Sequence, residues 1–152
     1  MGDKAIMQIC VIVDDVERYA RQYCEVFGLE MPKEYHVTAG YEETKATYKG
    51  SPTDARAKIA SWQFGQVQFE LLEPIGGPSA WRDFLDEHGP GVHHIAFQVK
   101  DSNEVAASFA EHGFAISHQG LFTGLPGGMY TYLDTASALG MTVELLESFD
   151  EK

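Results

Sequence analysis

The period of apolar and polar positions changes along the chain, and each change marks an element. Residues 5–13, AIMQICVIV, are rich in apolar and β-branched side chains and predict a strand. Behind Asp14–Asp15 the spacing turns helical: Val16, Tyr19, Ala20, Tyr23 and Phe27 recur on one face until Gly28 supplies a left-handed stop. A strand follows around 29–37, then a polar segment rich in Glu, Thr and Lys with a turn at Gly50-Ser51-Pro52, then strands near 57–64 and 66–73. The first half reads β-α-β-β-β. The segment PIGGP (74–78) breaks the pattern, and SAWRDFLDEHG predicts a short helix with Ser79 as N-cap and Gly89 as stop. The pattern then restarts with a strand at 91–99, a helix behind Asp101–Ser102, and strands near 114–118, 128–134 and 140–147.

The two halves match locally. MQICVIVDD aligns with HHIAFQVKD, which sets Gln8 against His94, and VQFELLEP aligns with MTVELLES, which sets Glu70 against Glu144. Two segments recurring in the same order, at a period too long for a solenoid, imply a pseudo-twofold pair of modules. The extra residues of the first half fall in a loop around 38–56. The expectation is one α+β domain over 1–152, with module 1 at 5–74, a linker helix at 75–90 and module 2 at 91–148. Its two β-α-β-β-β modules would form a curled, open mixed sheet around a central metal cavity.

Strand alternation decides which side chains share a face. Gln8, Cys10 and Ile12 point one way; Ile9, Val11 and Val13 point the other. His94, Glu70 and Glu144 each lie on the mixed face of their strand, opposite an apolar face suited to packing against a helix. Alternation puts the adjacent His93 on the side opposite His94. Four mixed faces around one cavity would bring an amide oxygen, an imidazole and two carboxylates to a point. That donor set suits one divalent zinc, nickel, cobalt, manganese or iron ion. A metal chelating two substrate oxygens acidifies an adjacent C–H and stabilises an enediolate, and one carboxylate then serves as base. Glu144 is the first choice for that base and Glu70 the second. Cys10 reads as a packing residue, the loop TGLPGGMY (123–130) as a lid, Tyr130 and Tyr132 as lining or packing residues, and Glu42 and Glu43 as solvated.

Composition narrows the partners. A net charge of −12 argues against nucleic acid and anionic membranes, which require clustered cations. No apolar run approaches the ~18 residues of a span, and the start lacks the pattern of a secretory leader. Two cysteines are too few for a disulfide framework, so the expected setting is cytoplasmic. The phosphates of an acyl-CoA would need cations at the cavity mouth, where Lys45, Lys49 and Arg56 are the clustered candidates.

The segments QICVIVDDVERYARQYCEVFGLE, FGQVQFELLEP, FLDEHGPGVHHIAFQVKD and GMTVELLE resemble the vicinal oxygen chelate superfamily, which includes glyoxalase I, methylmalonyl-CoA epimerase, extradiol dioxygenases and bleomycin-resistance proteins. The flanks are similar to methylmalonyl-CoA epimerases, and the Gln-Glu-His-Glu set is similar to glyoxalase I. The resemblance implies metal ligands at Gln8, Glu70, His94 and Glu144, a small carbonyl or acyl-thioester substrate, proton transfer by a lyase, isomerase or epimerase, and a homodimer. Glyoxalase I usually holds glutathione with an arginine at the place of Ile12 and an asparagine at the place of Pro74. A single histidine in the set points away from ring-cleaving dioxygenases. The alternative function is metal-free sequestration of a small molecule in the same cavity.

Overall fold

A computed structural model describes residues 1–124 and 126–149. Strand β1 (Ile6–Ile12) leads into helix α1 (Val16–Phe27), then β2 (His36–Val37), α2 (Tyr41–Thr44), β3 (Thr47–Tyr48), β4 (Ser51–Pro52), β5 (Ala55–Phe64) and β6 (Val67–Gly76). Helix α3 (Ala80–His88) crosses to β7 (Gly91–Gln98), α4 (Ser102–Glu111), β8 (Ile116–Phe122), β9 (Gly128–Leu133), α5 (Ala136–Leu139) and β10 (Thr142–Ser148). Among the described residues ten strands form one curled mixed sheet, ordered β2-β5-β6-β1-β7-β10-β9-β8-β3-β4. The expected fold class is the observed one. No helix of the described residues is long and apolar enough to cross a membrane.

The sheet's pairing repeats about its middle. β1 runs parallel to β6 and antiparallel to β7, and β7 runs parallel to β10. Each half packs its own helix against the outer face. α1 buries Val16 and Ala20 over Val11, Val13, Ala60 and Leu71, and α4 buries Ala106 over Val99, Leu133, Val143 and Leu145. The inner face carries a third core, in which Trp81 of α3 meets Ile12, Ala57, Leu72 and Tyr132.

The helix starts repeat as well. Asp15 and Asp101 cap α1 and α4 by accepting from the N–H groups of Arg18 (3.1 Å) and Glu104 (2.9 Å). In each half the second glutamate of the ELLE motif completes the cap: Glu73 accepts from Val16 N–H at 3.0 Å and Glu147 from Ser102 N–H at 2.8 Å. Carboxylates placed here satisfy orphan donors and the positive end of the helix dipole. Gly28 ends α1 in the left-handed region (φ 69°), with its N–H donating to the Cys24 carbonyl, as its position predicts.

Three details differ from the sequence reading. The strand expected at 29–37 shrinks to His36–Val37, because Pro32 has no N–H to give a ladder there. The 38–56 insertion is ordered into α2, β3 and β4, and β3 pairs with β8, so it extends the far edge of the sheet. Phe27 is exposed at the end of α1, stacked on Tyr23 at 5.6 Å, rather than buried with the helix's apolar face.

The caps yield a simple expectation. Asp15→Ala should lower unfolding free energy by about 1 kcal/mol in urea denaturation, with no change of fold by circular dichroism.

Candidate metal centre

Register brings the four predicted residues to the middle of the sheet's inner face. Cys10 of β1 stands between Glu70 on β6 and His94 on β7. Two residues along, Ala96 of β7 stands between Gln8 on β1 and Glu144 on β10. The pseudo-twofold thus exchanges Gln8 with His94, Glu70 with Glu144, and Cys10 with Ala96.

His94, fully buried, lies at the centre of the group. Its Nε2 is 3.1 Å from Gln8 Oε1 and 3.0 Å from Glu144 Oε2. The Gln8 amide donates to Glu70 Oε2 at 3.3 Å and to Gln68 Oε1 at 2.7 Å. Gln8, Glu70 and Glu144 are all at least nine-tenths buried. Although Glu144 Oε2 is 3.0 Å from the imidazole nitrogen, it accepts no hydrogen bond. The ring's hydrogen-bonding direction serves Gln8 instead. A buried carboxylate oxygen without a donor is costly, and a cation among these atoms would satisfy it. The residues present therefore fit a divalent metal.

Electrostatics follow from burial. Burial pushes the Glu70 carboxyl up to about 7; His94 opposes this, Glu144 adds to it, and a hydrogen bond from Cys10 opposes it. Burial, then the charges of Glu70 and Glu144, push the Cys10 thiol well up. Burial and the neighbouring His94 hold His93 well below the ordinary histidine value and bring His118 down to about 4. Both rings are neutral at pH 7.

A supporting layer surrounds the group. His93 and His94 approach with their Nδ1 atoms 2.9 Å apart, which corrects the expectation that they face opposite ways. The β1–β7 register skips at His93, where Cys10 pairs with His94 but Val11 pairs with Val92. This bulge turns His93 inward. With its Nδ1 engaged by His93, His94 presents Nε2 to Gln8 and Glu144. Tyr132 packs on the His94 ring at 4.8 Å and accepts from Trp81 Nε1 at 3.0 Å. His118 Nδ1 accepts from Ala80 N–H at 3.4 Å, so Nε2 carries the ring proton and donates to the Tyr130 oxygen at 3.2 Å. That leaves the Tyr130 O–H free to donate into the cavity.

The cavity has a volume of about 180 Å³, with Gln8, Glu70 and Glu144 among its lining residues and Leu72, Trp81, Tyr130 and Tyr132 as apolar walls. Thr38 and Thr44, from the insertion, supply polar atoms. Among the described residues no lysine or arginine lines it.

Residues 7–132 match the sequence model of the Glyoxalase/Bleomycin resistance protein/Dioxygenase superfamily. The chain belongs to that superfamily. The uncharacterized protein YqjC of Bacillus subtilis is 28% identical over 94 residues, covering 62% of this chain and 67% of that protein. The uncharacterized protein slr0090 of Synechocystis is 26% identical over 144 residues; these span 90% of this chain but only 38% of the relative. Methylmalonyl-CoA epimerase of Streptomyces coelicolor, solved as a variant with 2-nitronate-propionyl-CoA, superposes with a TM-score of 0.65 at 24% identity, covering 95% of this chain and 97% of its own. That likeness shows a shared fold. The superfamily is the one the sequence motifs resemble.

Within this superfamily fold several expectations about surrounding residues change. Tyr130 and Tyr132 both line the cavity. Glu42 and Glu43 are exposed, as expected, and Glu42 meets Lys45 at 3.4 Å. Lys45, Lys49 and Arg56 are not among the residues lining the cavity: Lys45 lies over the Tyr41 ring, Lys49 lies 3.8 Å from Asp83, and Arg56 alternates with the cavity-lining Ala57. Thr123 of the predicted lid touches the cavity, and Leu125 of that loop lies outside the described residues. Sequence reasoning assigned Cys10 to packing, yet its sulfur, a Glu70 oxygen and a His94 nitrogen all lie within 4.8 Å of one another. Its place on the Gln8 face was the signal.

Glu70 makes metal-free stability pH-dependent. Its folded value lies above the ordinary 4.5, so between 4.5 and about 7 the folded state holds a proton that the unfolded state has lost. Stability should therefore fall as pH rises through that window, by at most about 1.4 kcal/mol per pH unit. In Glu70→Gln that part of the slope should vanish from urea unfolding curves recorded with chelator.

Proposed function

We propose that this chain is a metal-dependent isomerase, epimerase or lyase of the glyoxalase type, which removes and returns a proton on a carbon beside a carbonyl. The observation that supports this best is the donorless Glu144 Oε2, buried among Gln8, Glu70 and His94. Gln8, Glu70, His94 Nε2 and Glu144 would hold one divalent ion: zinc, nickel, cobalt, manganese or iron. Such an ion supplies Lewis acidity toward a carbonyl oxygen and so acidifies the neighbouring C–H.

The chain's own groups do the rest. Glu70 and Glu144 project from strands on opposite sides of the β1–β7 pair, so a substrate between them has a carboxylate toward each face. Glu144 acts as base. Glu70 returns the proton on the other face. The Tyr130 hydroxyl donates to a substrate oxygen. Leu72, Trp81 and Tyr132 exclude water around the reacting carbon.

A cavity of about 180 Å³ with no lysine or arginine in its lining among the described residues suits a small carbonyl compound or the acyl end of a thioester. The Streptomyces coelicolor epimerase was solved with a CoA compound; here the nucleotide of a CoA thioester would lie outside the cavity. A homodimer belongs to the same reading, and light scattering checks it.

Protein purified without chelator should contain about one metal per chain by elemental analysis. It should exchange a substrate proton for deuterium in a screen of 2-oxoaldehyde thiol adducts and 2-methylacyl-CoA thioesters. Glu144→Gln should keep the fold and lose exchange by roughly 10²- to 10⁴-fold. Full exchange in that variant would remove Glu144 from the role of base. Metal-free protein that binds neither added nickel nor zinc would favour sequestration instead.

Substrate length provides a separate check. Shortening an active CoA thioester to its pantetheine form should leave KM unchanged, because among the described residues no lysine or arginine lines the cavity to hold the lost phosphates. A large rise in KM would place a phosphate site elsewhere on the chain.

A further inference from the structure

We infer that Cys10 is itself a ligand of the metal, giving the site a thiolate that its pseudo-twofold twin lacks. This inference rests on the metal-site reading and extends it. Three observations carry it. The first is register: on the inner face Cys10 is flanked on both sides by predicted ligands, Glu70 across the parallel ladder and His94 across the antiparallel one. Neighbouring strands lie only about 4.8 Å apart, so these three side chains are adjacent. The second is distance. The Cys10 sulfur, a Glu70 carboxylate oxygen and a His94 nitrogen are mutually within 4.8 Å, and all three residues are buried. The third is the donorless Glu144 Oε2, 3.0 Å from His94 Nε2, which marks the same place as short of a cation.

Cys10 also belongs to the inner core with Ile12, Leu72 and Tyr132, but packing there does not require sulfur. The twin of Cys10 is Ala96, equally buried and flanked by Gln8 and Glu144, and there a methyl group suffices. Coordination replaces the thiol proton, which passes to solvent, with the metal. A thiolate shifts preference toward zinc, cobalt(II) or cadmium and away from manganese or magnesium, which favour oxygen.

Cobalt(II) reads this directly, without a substrate. Cys10 and Cys24 are the chain's two cysteines, so Cys24→Ser leaves Cys10 as the sole thiol. Metal-stripped Cys24→Ser protein, reduced and titrated anaerobically with cobalt(II), should develop a near-ultraviolet thiolate-to-cobalt charge-transfer band that saturates at one equivalent. In Cys10→Ala and Cys10→Ser that band should be lost while the weaker visible d–d bands remain. Competition should show cadmium affinity falling on the order of ten- to a hundredfold in Cys10→Ser, with manganese affinity much less affected. Stoichiometric cobalt in Cys24→Ser protein without the charge-transfer band would overturn the sulfur ligand and leave the oxygen–nitrogen site standing. The same band surviving in folded Cys10→Ala would do so equally. No cobalt binding by wild-type or Cys24→Ser protein would overturn the metal site and the sulfur ligand together.

Discussion

The antiparallel pairing of β1 with β7 is the constraint on which the cavity depends. It is the seam between the two halves, and its register decides which residues of β6 and β10 become neighbours. Cys10 faces His94 and Gln8 faces Ala96; the parallel partners then place Glu70 beside one pair and Glu144 beside the other. A slip of one residue would turn His94 toward the outer helices and bring Ile95 into the cavity. The apolar outer faces prevent that slip, because Val11, Val13 and Leu71 on one side and Val143 and Leu145 on the other are buried under α1 and α4. Helix packing on the outside thus maintains polar alignment on the inside.

That alignment has a cost which shapes the chemistry. Two carboxylates, an imidazole and an amide are held out of water within hydrogen-bonding distance of one another. Desolvation disfavours their charged forms, and the raised Glu70 value expresses it. A stable protein would remove such groups unless something else satisfied them. The neighbouring layer is arranged to hold the group in place: the bulge at His93 braces His94, and Trp81 braces Tyr132 against the same ring. Both ends of the ELLE motif serve this arrangement, the first glutamate inside the cavity and the second on a helix N-terminus outside. One short motif therefore fixes a site residue and its strand's helix together.

Much of this was legible because the signals are periodic. Strand alternation alone placed Gln8, Glu70, His94 and Glu144 on inward faces, and the repeat of MQICVIVDD in HHIAFQVKD gave their symmetry. The helix caps at Asp15, Ser79 and Asp101 follow from local chemistry, and the structure retains all three. What alternation missed lies where regularity fails or contacts are nonlocal. A bulge is a one-residue break in period two, so His93 was assigned to the wrong side. The 38–56 segment pairs through Thr47 and Tyr48 with Gln119 and His118, a partnership no local pattern encodes. Cys10 shared the right face all along, but a thiol amid apolar neighbours looks like packing until its cross-strand partners are known.

The departures from twofold symmetry carry the most chemical information. A symmetric site would hold two equivalent carboxylates, and a proton would have no reason to leave from one and return by the other. Here Glu70 lies beside the Cys10 sulfur and the Gln8 amide, whereas Glu144 lies beside Ala96 and has an oxygen with no donor. The proposed base, Glu144, and its proposed partner in proton return, Glu70, therefore stand in different surroundings. Tyr130 adds to the asymmetry, because its hydroxyl is oriented by His118 on the β8–β9 side of the cavity. The fold's duplication brings matching strands together, and the unmatched residues Cys10, Ala96 and Tyr130 give the two carboxylates different surroundings.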